Sequence, residues 1–243
     1  MQSADRALSI LAAFSDARPE LGVSELAREL GMHKSTVSRL LATLEGRGLA
    51  RRVGDRFVPG PELARLGSLA VRGLALLPAA RPILARLAAE TGETVNLAVR
   101  QGDAALNVHQ VETAHFVGLT DWTGRTTPLH ATANGKALLA FGAGPVPGEL
   151  GVLTDRTIVD ALALAGELER TRSRGYARAV EELEVGLNSV GAPVFDAAGR
   201  CVAAVSVAGP SYRVPLRRLG RLGRACRDAA NEISACLGHQ RAA

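Results

Sequence analysis

Five polar side chains crowd a stretch near the start of this sequence: Lys34, Ser35, Thr36, Ser38 and Arg39. Hydroxyls and a guanidinium can hydrogen-bond base edges, and the two cations can neutralise phosphates, so the set has the chemistry of a DNA-reading surface. Val37, Leu40, Leu41 and Leu44 follow the i, i+3, i+4, i+7 rule, which makes residues 34–47 a helix with those four on its buried face. Each polar residue alone is an ordinary solvated side chain; their clustering opposite Val37 and Leu44 carries the reading. Just downstream, Arg51, Arg52 and Arg56 flank Gly54-Asp55, where two short strands make a hairpin. These arginines suit phosphates or the minor groove, and a solvated hairpin explains each of them singly as well.

A second candidate site lies at residues 124–136, Gly-Arg-Thr-Thr-Pro-Leu-His-Ala-Thr-Ala-Asn-Gly-Lys. Thr132 can cap a helix that starts at Ala133, and the small residues Ala133 and Gly135 would let a ligand approach its first N–H groups. An exposed helix N-terminus favours anions, carboxylates among them. An ordinary capped helix with Lys136 paired structurally fits the same residues, and both readings stand at this point.

Catalytic chemistry has less support. His109, His115 and His130 lack helical metal-ligand spacing, and no P-loop, Gly-x-Ser-x-Gly elbow or dinucleotide fingerprint occurs. Cys201, Cys226 and Cys236 are odd in number with no C-x-x-C spacing, so neither a disulfide nor a zinc site is expected. Cys201 lies in an apolar strand, where a structural thiol is the better reading. No metal and no cofactor are expected.

The elements that must position these residues follow from periodicity and punctuation. Ala7, Leu8, Leu11 and Phe14 give a helix over 4–15; Pro19 and Gly22 give a loop over 16–22; Ser24 caps a second helix over 25–30 that ends at Gly31. Ala27 stands four residues before Gly31 and Val37 six after it. That spacing suits a helix-turn-helix, which needs a small residue where its helices cross, a residue tolerant of positive φ in the turn, and a buried aliphatic on the second helix. Leu26, Leu30 and Leu40 add apolar contacts. An ordinary helical hairpin is the competing reading, and the hairpin wing that follows argues against it.

Pro59-Gly60-Pro61 marks a boundary. Leu63, Leu66, Ala70, Gly73 and Leu77 then trace a narrow stripe that suits helix pairing in a dimer, or packing on its own domain. Pro78 and Pro82 mark the passage onward. Beyond them a helix over 83–90, strands over 94–100, 104–111 and 115–121, helices over 133–141 and 161–174, strands over 187–195 and 201–208, and a final helix over 215–237 are expected. Hairpins mixed with helices make this an α+β chain with a mainly antiparallel sheet. The division expected is a winged helix-turn-helix at 1–60, a linker helix at 61–77 and an effector-binding domain at 78–243.

Bulk properties set the outer limits. The chain has 243 residues, 47% of them hydrophobic, enough for one small and one larger core. Apolar runs break before membrane-spanning length, no signal peptide is expected, and the reduced cysteines fit a cytoplasmic protein. The net charge of +5 does not locate a DNA-binding face: residues 1–60 hold nine Arg and Lys against seven Asp and Glu, whereas residues 211–243 hold seven against two. Lys34 and Lys136 are the only lysines, which reads as compositional bias toward arginine.

Along its whole length the chain resembles the IclR family of transcriptional regulators. The matching stretches run from Val23 to Leu44, Thr91-Gly-Glu-Thr-Val95, Pro128 to Ala140, Gly175-Tyr-Ala177, Glu181-Glu182, Ala192 to Asp196 and Ala204 to Pro210, in family order. The resemblance implies a winged helix, a linker helix and a GAF-like α/β effector domain. It also implies a homodimer, in some members a tetramer, that binds a double-stranded DNA operator and a small, often carboxylate-bearing effector. By position, the family's pocket falls on Ala133, Asn134, Gly135, Leu187, Ser189 and Ser206. Two departures stand out: Ala179 occupies the place of an Asp found in members that bind small keto acids, and Ala208 replaces a second serine. A less polar pocket leads us to expect a bulkier effector, such as an aromatic or other organic acid. The functional expectation is a ligand-modulated regulator, repression being the expected sense, and not an enzyme; an enzyme using the second domain and a ligand-independent regulator are the alternatives.

Overall fold

In the computed structural model, which describes residues 2–15, 18–73, 76–112 and 121–240, three short helices of the first unit turn their apolar stripes toward one another. The helices are α1 (Gln2–Ala12), α2 (Val23–Glu29) and α3 (Lys34–Gly46). Ile10, Leu26, Ala27, Val37, Leu41 and Leu44 meet in their core. Gly31 takes φ +62° in the turn between α2 and α3. There the Met32 N–H donates back to the Ala27 carbonyl at 2.9 Å and closes α2. The wing strands β2 (Ala50–Val53) and β3 (Arg56–Pro59) pair antiparallel as expected.

Two local expectations need correction. The cap of α2 is Gly22, not Ser24, which lies inside the helix; with no side chain at Gly22, the Glu25 carboxylate instead accepts the Gly22 N–H at 2.8 Å. Leu21–Gly22 is also a strand, β1, rather than loop, because it pairs with Arg56 and Phe57 in a three-stranded sheet of order β1-β3-β2. That partner is more than 30 residues away, beyond the reach of a local pattern.

Helix α4 (Pro61–Gly73) follows, with Pro61 as its first residue. The structure divides after Leu74 into units Met1–Leu74 and Ala75–Ala243. Leu77, assigned above to the α4 stripe, lies in α5 (Leu76–Thr91) and is buried in the second unit. Pro78 and Pro82 therefore sit inside a helix rather than before one. Pro78 falls in the first turn, where its missing N–H leaves no intrahelical bond unmade.

The second unit is one antiparallel sheet with helices on both faces. Its strands are β4 (Thr94–Gln101), β5 (Ala104–Val111), β6 (Thr126–Pro128), β7 (Ala177–Val180), β8 (Leu187–Phe195) and β9 (Cys201–Pro210), in the order β6-β5-β4-β9-β8-β7. The short edge strands β6 and β7 carry no apolar alternation long enough to announce them. The strand expected at 115–121 falls outside the described residues except for Asp121, which is not in a strand. One face carries small residues, Ala98, Ala204, Ala105 and Ala177, under α6 (Ala133–Phe141) and α7 (Ala161–Arg174). On the other face lie bulkier side chains such as Leu97, Val205 and Val207, covered by α5 and by α8 (Leu216–Cys236).

Helix α6 is buried all round from Ala133 to Ala140, which requires close approach to the sheet. Gly191 of β8 permits it. A Cβ there would lie 2.7 Å from the Ala133 carbonyl and 2.9 Å from the Asn134 nitrogen. Gly191→Ala is expected to lower stability by about 1–3 kcal/mol, the range for forcing atoms into a packed core. Urea unfolding checks this, with the midpoint falling at unchanged slope.

Candidate DNA interface and ligand cavity

The polar face of α3 is available at the surface. Lys34, Ser35, Ser38 and Arg39 are exposed and Thr36 is half-buried, while Val37, Leu41 and Leu44 point into the core. His33 caps the helix: its Nδ1 accepts the Ser35 N–H at 3.4 Å and lies 2.8 Å from the Ser35 hydroxyl. Ser35 is therefore held in place rather than swinging freely. Thr36 and Arg39 line a groove of about 320 Å³ with Ser3 and Arg6 of α1. Arg6 thus brings a further cation to this surface, one that spacing along α3 did not reveal.

The three wing arginines differ. Arg51 is exposed and makes no ion pair among the described residues. Arg52 lies 4.7 Å over the Phe57 ring, its cross-strand partner, and shields that buried ring. Arg56 is turned back into its own unit: it pairs with Glu25 at 2.7 Å and donates to the Glu20 carbonyl at 2.9 Å. The Gly22 N–H and Arg56 together hold the Glu25 carboxyl below its ordinary pKa. Grouping Arg56 with Arg51 and Arg52 is corrected accordingly; its guanidinium fastens the β1–α2 corner.

The second unit holds a cavity of about 50 Å³ between the N-terminus of α6 and the small-residue face of the sheet. Four of the six sequence-selected residues line it: Asn134, Leu187, Ser189 and Ser206. Ala133 and Gly135 do not. Ala133 is packed on Gly191, and a Cβ at Gly135 would strike the Leu129 carbonyl at 2.3 Å. Their smallness lets the chain's own backbone close on α6, not a ligand. Thr132 caps α6 as expected, accepting the Gly135 N–H at 3.2 Å.

Lys136 follows the structural alternative. Fully buried, its Nζ lies 2.6 and 2.5 Å from the two Glu182 carboxylate oxygens and 3.1 Å from the Arg178 carbonyl. Burial pushes the Glu182 carboxyl up, against the pull of the Lys136 ammonium. The pair joins α6, which supplies Thr132 and Asn134 to the cavity, to the loop after β7, which supplies Leu183.

Sequence reasoning missed Asn96, Asn107, Trp122, Thr127 and Leu183, all in the lining. Asn96 had a signal: it stands at the parity of Ala98, between Val95 and Leu97 of strand β4. Trp122, the only tryptophan, had none. The Asn134 amide donates to the Asn107 side-chain oxygen at 3.2 Å, and Asn107 donates to the Arg125 carbonyl at 3.2 Å. The two departures noted above fall together. Ala179 and Ala208 are both register partners of Ser189, one on each side, so that row of the sheet reads Ala-Ser-Ala.

Burial pushes the Cys201 and Cys226 thiols up to about 12, which leaves them un-ionised at neutral pH. The His130 ring nitrogen lies 2.9 Å from the Gly151 carbonyl, and burial lowers the pKa of His109. His115 lies outside the described residues, and no cluster of metal-ligating side chains occurs among those described. No helix among the described residues is long and apolar enough to cross a membrane.

Comparison with known proteins agrees over nearly the whole chain. Residues 3–54 match the IclR helix-turn-helix domain, and residues 68–235 match the bacterial transcriptional regulator IclR C-terminal domain. The HTH-type transcriptional regulator BhcR of Paracoccus denitrificans is 39% identical, over 96% of this chain and 86% of that protein. The transcriptional repressor IclR of Escherichia coli is 32% identical, over 99% and 92%. The crystal structure of Thermotoga maritima IclR superposes with a TM-score of 0.75 at 31% identity, covering 98% of this chain and all of that one.

Proposed function

This chain belongs to the IclR family of bacterial transcriptional regulators, and from that premise we propose that a small organic acid, bound in the cavity beneath α6, modulates its hold on an operator. The coarser part rests on the family: the chain is a DNA-binding transcriptional regulator, not an enzyme. Within it, we read residues 1–60 as the DNA-binding domain, α4 as the linker helix in place of the 61–77 expected from sequence, and the second unit, which includes Leu77, as the effector domain.

The observation that carries the DNA reading is the division of α3 into a buried apolar face and an exposed face bearing Lys34, Ser35, Ser38 and Arg39. Its N-terminal half would enter the major groove, with Arg51 and Arg52 of the wing on flanking phosphates. A homodimer would place two such helices on a pseudo-palindromic site. Repression is the sense in which we read the output, as the name of the Escherichia coli relative supports.

The effector reading rests on a cavity beside the N-terminus of α6, where asparagine, serine and threonine side chains stand among apolar ones and the helix dipole favours an anion. Effector binding changes operator affinity only if it favours one of two dimer arrangements. The cavity size bears on the ligand. A benzene-binding cavity measures about 150 Å³, so an aromatic acid requires the lining to open, whereas a two- or three-carbon acid needs little movement.

Selection of bound sequences from random DNA tests the DNA reading directly. Recovery of a two-fold repeated motif supports it, and failure to enrich any sequence sinks it. On the selected site, Arg51→Ala is expected to weaken binding evenly across sequences and to reduce the slope of log affinity against log salt by about 1. Fluorescence anisotropy at several salt concentrations reads both.

A further inference from the structure

Exposed arginines of the second unit are unevenly matched by acids. Arg86, Arg156 and Arg200 each have a carboxylate within ion-pair reach. Arg217, Arg221 and Arg224 are equally exposed and have none among the described residues. They stand at i, i+4 and i+7 on the outer face of α8, opposite the buried Leu219, Leu222 and Cys226. The two acids further along the helix are engaged elsewhere, Asp228 by Arg227 at 3.5 Å and Glu232 by Arg86. Arg178 of β7 brings a fourth cation to the row. Its Nη2 and the Arg224 Nη1 both lie within 4.0 Å of the point where a Cβ of Gly220 would stand. The Arg178 guanidinium bonds the Tyr176 hydroxyl at 2.9 Å, not a carboxylate.

Such a row is unfavourable for the helix that carries it. Arg217 falls in the first turn of α8, which holds no acidic residue, so its charge opposes the helix dipole. Like charges at i, i+4 also repel. A polyanion lying along the helix would offset both effects.

We infer that this face of α8 is a second DNA-contacting surface, which binds backbone phosphates of the duplex outside the segment read by α3. The inference extends the DNA reading beyond the first unit and rests on it. From Arg217 to Arg224 the helix rises about 10 Å. That is long for a single phosphate group and matches about three successive phosphates of one strand, at roughly 3.4 Å of axial rise each. Guanidinium forks suit phosphate oxygens. Once the first unit holds an operator, the flanking duplex is present at high effective concentration, which an untethered acidic protein is not.

The test compares a minimal fragment carrying the site selected from random DNA with the same site extended by about 40 bp on each side, some 140 Å of duplex. Salt is held at about 0.1 M, where free charges act over only about 10 Å. The full-length protein should bind the extended fragment about tenfold tighter or more. The triple variant Arg217→Gln, Arg221→Gln, Arg224→Gln should match wild type on the minimal fragment and lose most of the gain from extension. Its salt slope on the extended fragment should fall by about 3 for each protomer engaged. Its thermal midpoint should hold or rise, because the charges removed have no partner to lose. The matching lysine triple should keep the gain, since neutralising phosphates takes the charge and not the packing of a guanidinium. No gain from extension, or a gain equal in wild type and the glutamine triple, would overturn the inference; it is the result expected if the face docks an acidic protein. Equal loss on both fragments, or a lysine triple that behaves as the glutamine one does, would overturn it as well. Failure of wild type to bind the minimal fragment would overturn the DNA reading of α3, and this inference with it.

Discussion

Lys136→Met should lower the stability of the second unit by about 3–5 kcal/mol, because it leaves the Glu182 carboxylate buried with its cation removed. Replacing both partners, Lys136→Met with Glu182→Leu, should restore most of the loss, since the cost lies in the uncompensated charge and not in a missing attraction. The pH dependence has a definite sign. Burial already pushes Glu182 up, and without Lys136 its folded pKa rises further above the unfolded value. Stability of the single variant is then full below the unfolded pKa and is lost as pH rises through the folded one, so the deficit should be smaller at pH 5 than at pH 8. Denaturant titration of both variants at the two pH values checks this. A double variant as unstable as the single one would show that Lys136 acts through packing alone.

Arg39→Ala is expected to weaken operator binding by about 1–3 kcal/mol, or roughly 5- to 150-fold, the range for one specific side-chain contact. The residue is exposed on the outer face of α3, so truncation should leave the thermal midpoint within a few degrees of wild type. Affinity and stability therefore separate, which distinguishes a DNA contact from a folding defect. Unchanged affinity at physiological salt would remove Arg39 from the contact set. Arg56→Ala should behave in the opposite way, costing stability at the β1–α2 corner through loss of its bonds to Glu25 and the Glu20 carbonyl more than it costs binding.

Much of the first unit was legible because its signals are local. The Ala27, Gly31 and Val37 spacing spans only ten residues after Ala27, and the structure bears out each role: Ala27 and Val37 in the core, Gly31 at positive φ. Helices α6 and α7 and strand β8 begin and end where periodicity placed them, with Thr132 capping α6. The capping of α2 was misread because Ser24 has the right side chain, whereas the actual cap works through Glu25 reaching back to a glycine. Pro78 and Pro82 mark no boundary because Pro78 falls in the first turn, where its missing N–H leaves no bond unmade, and Pro82 is carried inside a helix whose Leu77, Ile83 and Leu84 are buried.

The cavity beneath α6 divided differently. Asn134, Leu187, Ser189 and Ser206 were reached through family position, whereas Ala133 and Gly135 were mistaken for ligand-facing residues. Small side chains next to a helix N-terminus read the same in sequence whether a ligand or a strand comes close. Only the placement of Gly191 beneath Ala133 tells them apart.

The exposed polar face of α3 was thus determined by the sequence alone, since a helix of 3.6-residue period with Val37, Leu41 and Leu44 on one side must turn Ser35 and Arg39 to the other. What each charge does there was decided by tertiary structure. Arg56 was committed to Glu25, 31 residues away, Lys136 to Glu182, 46 residues away, and Asn96 was left without a partner, because pairing between distant segments follows from how strands and helices pack and not from spacing along the chain.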